Sequence, residues 1–211
     1  MDYLNTLFID KQKQEYVKRY FNNINKDDNV KKIYNMIIKY VNVNNLENFI
    51  LITRPILNSY EFQRRIDFPH HGNESIVEHS IKVASLAYKI APYFHVNLVN
   101  VILASLMHDM YSTPWQNQKR PHNIFQAHGF VHPRIALTNC KKYYPELMNN
   151  VIENSILCHM FPLTPRKPKY AEGWLIVFCD KYVSMNIFKD VKKLPTYIGI
   201  KNIRIFLRKQ M

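Results

Sequence analysis

With 211 residues, 47% of them hydrophobic, the chain can fill one good core, and it offers no run of 18 apolar residues to cross a membrane. A net charge of +13 suggests a polyanionic partner, yet 22 asparagines and 20 lysines against 9 arginines are what an AT-rich gene produces, so much of that charge is compositional. Three cysteines, Cys140, Cys158 and Cys179, are odd in number and share no short spacing, which points to reduced core thiols rather than a disulfide framework or a thiolate zinc site.

The opening segment, Met1 to Asp10, lacks the basic start and small-residue cleavage site of a secretory leader, so a cytoplasmic protein is expected. Apolar residues recur at i, i+3 and i+4, glycine is scarce and no repeat is present, which predicts an all-α fold. Helices are expected over 10–22, 28–42, 45–53 and 58–66, forming an N-terminal extension, residues 1–66, packed on the core. The core, 67–190, is expected to hold helices over 74–92, 97–109, 131–143, 145–159 and 171–189. A basic C-terminal helix over 198–209 ends the chain, within residues 191–211, which carry six basic groups and no acidic one.

Within the core, Pro69 before His70-His71-Gly72 leads into a helix starting near Glu74, whose apolar stripe of Ile76, Val83, Leu86, Ala87 and Ile90 also contains His79. The next helix carries the apolar run Val101 to Met107 and closes on His108-Asp109. Residues 110–130, with Pro114, Pro121 and Gly129, read as a long irregular loop of the kind that often carries function. The segment 171–189 is apolar almost all round before Asp180, the pattern of a buried central helix.

Imidazole and carboxylate groups in such surroundings need hydrogen bonds, charge partners or a metal. His79, His108-Asp109, His132, His159 and Asp180 lie on successive predicted helices or at their mouths, at intervals of 29, 23, 27 and 21 residues, so each helix and its connection returns the chain to one centre. Singly, His79 reads as a hydrogen-bonded core histidine and His108-Asp109 as a helix C-cap; Asp180 has no comfortable structural role alone. Together the four histidines and two aspartates suffice for two five- or six-coordinate divalent cations if Asp109 bridges them. Water between two cations is acidified and can attack phosphorus in line.

These residues resemble the HD-domain superfamily of metal-dependent phosphohydrolases, whose pattern is H, HD and D on an all-helical core. The local contexts Glu78-His79-Ser80, Leu106-Met107-His108-Asp109, His132-Pro133-Arg134-Ile135-Ala136, Ile156-Leu157-Cys158-His159 and Cys179-Asp180-Lys181 are similar to those of its two-metal members, over about 70–189. The resemblance implies an HD-domain-like helical bundle and a phosphomonoesterase, phosphodiesterase or nucleotide hydrolase acting on a small, nucleotide-like phosphorylated substrate. It implies one or two ions of Fe, Mn, Co, Ni or Zn, with His79, His108, Asp109 and Asp180 on one, and His132 and His159 on a second bridged by the catalytic Asp109. Met110-Tyr111-Ser112 after the dyad is not the Ile-Gly-Lys of cyclic-di-GMP phosphodiesterases, and no Gly-Tyr-Pro follows His159, which argues against that substrate.

Candidate substrate contacts are His128, one turn before His132, Arg134 just after it, and His71 ahead of the first ligand helix, while His70 beside it reads equally as a loop histidine in solvent or a contact to substrate or metal. Arg166-Lys167-Pro168-Lys169 is either a phosphate clamp or solvated surface, and Tyr111 and Trp115 either stack a base or pack the core. Two rivals stand beside the hydrolase: a di-iron oxygenase on the same fold, and a non-catalytic, metal-stabilised protein binding nucleic acid through its basic tail. The oligomeric state, homo-oligomer included, is left open.

Overall fold

The computed structural model describes Glu15 and residues 28–70, 74–112 and 128–185. Apart from Glu15, the expected helix over 10–22 lies outside the described residues, as do the expected helix over 198–209, the basic tail, Trp115 and His71. Those described form α1 (Asp28–Tyr40), α2 (Leu46–Leu57), α3 (Tyr60–Gln63, continued by a 3-10 turn at Arg64–Asp67), α4 (Ile76–Ile90), α5 (Leu98–Met107), α6 (His128–Tyr143), α7 (Asn150–Cys158) and α8 (Ala171–Ser184). No strand occurs among them, only an isolated antiparallel bridge between Pro69 and Ser75.

The helix starts follow from local side-chain chemistry. Ser75 accepts the Glu78 N–H, Asn97 the Asn100 N–H, and Asn149 the Val151 and Ile152 N–H groups, each satisfying donors that a first helical turn leaves open. Asn149 thereby divides the expected helix 145–159 into a 3-10 turn at Pro145–Leu147 and α7. Helix α6 starts at His128, three residues before its expected start, and runs through both Gly129 and Pro133. Glycine fits there because a Cβ at 129 would lie 2.7 Å from Leu163 Cδ2.

Helix α5 is the hub. It packs against α2, α4, α7 and α8, and residues 101–107 are all buried, which accounts for its nearly unbroken apolar sequence. Helix α4 is covered on two sides. Its Val77, Ile81 and Ala84 join Ile33 and Ile37 of α1, Phe49 and Ile50 of α2 and Ile102 of α5 in one cluster. Its Val83, Leu86, Ala87 and Ile90 meet Trp174, Leu175 and Cys179 of α8 in another. The described part of the first 66 residues thus shares a core with α4 and α5. Cys140, Cys158 and Cys179 are buried and unpaired. No described helix is long and apolar enough to cross a membrane.

Candidate metal centre

Two helices end in the same way. His108 caps α5 and its Nδ1 lies 2.7 Å from the Ser105 carbonyl, while His159 caps α7 with Nδ1 2.7 Å from the Ile156 carbonyl. In each, an N–H donated to a carbonyl left open at the helix end fixes the tautomer and turns Nε2 inward. Asp109 follows His108 in a tight turn that neighbours hold from outside. Arg65 Nε donates to the Tyr111 carbonyl at 2.9 Å, Asn139 Nδ2 to the Met110 carbonyl at 2.6 Å, and Cys140 Sγ to the Met107 carbonyl at 3.5 Å.

The six residues expected to meet do meet, all buried. Asp109 divides them. Its Oδ2 is 3.4 Å from His108 Nε2 and 4.0 Å from His79 Nε2, whereas its Oδ1 is 3.3 Å from His132 Nε2 and 3.5 Å from His159 Nε2. Asp180 Oδ1 lies 3.1 Å from His79 Nε2 and 3.7 Å from His108 Nε2, and His132 and His159 bring their Nε2 atoms to 2.8 Å. Three donor groups result, each with its atoms within 4.8 Å of one another: His79, His108 and Asp180; Asp109, His132 and His159; and His70, His79 and Asp109.

This arrangement fits a cation. Ligand bonds of about 2.1 Å require donors roughly 3.0 Å apart at right angles and about 4.2 Å when opposed. The Asp109 and Asp180 pairs with the four histidines span 3.1 to 4.0 Å. His108 Nε2 and His79 Nδ1 are buried without a hydrogen-bond partner, an arrangement costly for a polar atom unless something else satisfies it. For the first, a cation would be such a partner; the second faces the Glu74 carboxylate at 3.9 Å.

Protonation states are also suited to metal. Burial alone would raise both carboxyls, but the charge on His108, with His132 and His159 close by, holds Asp109 well below the usual carboxylate range. The charge on nearby His108, the His79 hydrogen bond and the Lys181 charge do the same for Asp180. Burial, reinforced by neighbouring His132 and His108, pushes His159 down to about 4 and keeps it neutral. For His108 burial is outweighed by Asp109 and Asp180, which raise it to about 9; a cation between the same groups would take that proton's place.

Other expected residues fall elsewhere. Arg134 is exposed, two positions and about 200° of helix beyond buried His132, so it does not reach the cluster. His128 begins α6, but its side chain lies outside the described residues. Tyr111 is fully buried with its ring 6.1 Å from that of His132, so it packs the site wall and offers no face to a base. Arg166, Lys167 and Lys169 are exposed, the solvated-surface alternative.

Two contributors have no place in the sequence reading, and a third, His70, the sequence leaves open between a loop histidine in solvent and a contact to substrate or metal. Lys181 Nζ lies 2.6 Å from Asp180 Oδ2 and 3.4 Å from the His159 carbonyl. Its place directly after Asp180 was the available signal. His70 brings Nδ1 to 3.7 Å from Asp109 Oδ2 and stacks on His79 at 4.0 Å between ring centroids. Arg65, wholly buried, had no signal at all in the charged pair Arg64-Arg65.

The family model described as HD domain matches residues 76–185, over half of the chain and all six central residues. The chain belongs to the HD domain family. That family is all-α and consists mostly of metal-dependent phosphohydrolases. Comparison with curated proteins finds no match, and comparison with solved structures finds none.

Proposed function

We propose that this HD domain protein is a metal-dependent phosphohydrolase that cleaves a phosphate ester or anhydride of a small, nucleotide-like substrate. The reading rests above all on Asp109, whose two oxygens face two different pairs of histidines at 3.3 to 4.0 Å. His79, His108, Asp109 and Asp180 would hold one divalent transition metal, Fe, Mn, Co, Ni or Zn, and Asp109, His132 and His159 a second. When bound, such a pair supplies Lewis-acid stabilisation of phosphoryl charge and a water of lowered pKa.

The chain's own groups do the positioning. Asp109, kept ionised, is an acceptor on both sides and cannot be lost to protonation near neutral pH. The Ser105 and Ile156 carbonyls hold His108 and His159 in one tautomer. Tyr111, fully buried beside the His132 ring, closes part of the wall against bulk water, which strengthens every charge interaction within. Lys181, about one-third exposed, neutralises the outer oxygen of Asp180 and presents an ammonium toward an incoming anion.

The test is a panel of phosphorylated metabolites offered to purified protein with each divalent metal, in air and without oxygen. Cation-dependent phosphate release that persists without oxygen and disappears in Asp109→Asn supports the proposal. Protein that takes up no metal refutes it, as does oxygen-dependent turnover without phosphate release, the behaviour of a di-iron oxygenase.

A further inference from the structure

We infer that His70 is an additional donor to the cation held by His79, His108, Asp109 and Asp180, an inference that rests on the two-cation reading above. The backbone puts His70 there. Ile76 N–H donates to the Phe68 carbonyl at 3.0 Å and His70 N–H to the Glu74 carbonyl at 2.7 Å, so the chain before α4 folds back over its first turn. That fold lays the His70 ring on the His79 ring, at 4.0 Å and 36°. The other ring pairs of the cluster are farther apart, at 4.8 to 5.4 Å.

Distance and burial select the ligand role. His70 Nδ1 is 3.7 Å from Asp109 Oδ2, inside the 3.1 to 4.0 Å range spanned by the other histidine–carboxylate pairs. The oxygen it approaches is the one facing His79 and His108, which assigns it to the first cation and not the second. Its side chain is only 11% exposed, so this is not a loop histidine standing in solvent. It lies six residues ahead of the segment matched by the family model, so the feature belongs to this chain's lead-in and not to the matched pattern.

The consequence is an asymmetric pair. The groups His70-His79-Asp109 and His79-His108-Asp180 share His79, so a first cation drawing on both would have five protein groups available, against three for a second. The first is then the tighter and more inert, and substrate and water enter at the second.

Equilibrium dialysis with zinc and, separately, manganese as the only added ligand tests this on full-length protein. His70→Gln is expected to weaken the tighter step by about tenfold or more, the scale on which even outer partners of ligating histidines matter, while the weaker step stays within twofold. His159→Gln should do the reverse. X-ray absorption on the wild-type chain with one equivalent of zinc should count three imidazoles, and two in His70→Gln. Unchanged dialysis curves in His70→Gln, or two imidazoles in the wild type, overturn the role of His70 while two bound cations per chain leave the wider reading standing. A wild-type chain that binds neither cation overturns both. If His70→Gln fails to fold, the wild-type imidazole count decides alone.

Discussion

Replacing Asp109 by Asn keeps the shape of the side chain and removes the one charge shared by both histidine pairs. Asp109 is 3% exposed and lies 3.3 to 4.0 Å from four imidazoles, and among the described residues it is the one carboxylate grouped with His132 and His159. A ligand present at 1,000 times its Kd stabilises the folded state by about 4.1 kcal/mol. If the substitution weakens binding about a hundredfold, the upper figure for loss of an outer-shell partner and hence conservative for a direct ligand, the remaining stabilisation is about 1.4 kcal/mol. The difference, about 2.7 kcal/mol, corresponds to a metal-dependent Tm gain smaller by roughly 5–11 °C in a chain of this size. The assay is thermal unfolding with and without added zinc or manganese, paired with metal content after dialysis. Asp109→Asn should lose both ions, and His159→Gln one. Retention of a full complement by Asp109→Asn, or loss of a single ion with the other held at wild-type affinity, would refute the shared-carboxylate geometry.

Cation affinity should rise as pH increases from 6 toward 9, because His108, raised to about 9 by its two carboxylates, carries a proton that the cation must displace; a fluorescent-chelator competition that finds affinity flat or falling over that range contradicts this. Arg65→Met strips the buried Tyr111 carbonyl of its hydrogen bond and should cost about 1–3 kcal/mol in urea unfolding, with weaker metal binding alongside; stability and affinity both matching wild type would show that Arg65 does not hold the dyad's turn. Asn149→Ala removes the acceptor for two N–H groups at the start of α7 and should destabilise by about 1 kcal/mol while leaving metal stoichiometry intact, since His159 sits at the opposite end of that helix; loss of an ion in this variant would count against that separation.

The six central groups were legible because they interrupt apolar helical patterns or stand at the mouths of helices, and helices of ordinary length return such residues to one place. His79 on the stripe of α4 and Asp180 within the apolar sequence of α8 are the plainest cases. Arg134 shows the limit of reading by adjacency: once α6 begins before His132, two positions along are about 200° around, and the side chain faces water. The start of α6 itself was obscured because Gly129 and Pro133 both read as breakers, and only contact with Leu163 shows why glycine belongs in the helix. His70 and Arg65 could not be placed from periodicity. The first depends on two backbone hydrogen bonds of a hairpin, the second on a carbonyl 46 residues away in sequence.

The paired helix endings at His108 and His159 have one more consequence. Helices α5 and α7 both point their C-termini at the centre, and each such end carries the equivalent of about half a negative charge. Added to the two ionised aspartates, this makes a field of roughly minus three, sufficient to gather divalent ions yet short of neutralising two of them. A fully loaded centre would retain a positive residue of about one charge, sheltered from water and facing outward beside Lys181. For the proposed phosphorylated substrate, attraction would then come from the balance of the centre itself, with no call on the exposed Arg134.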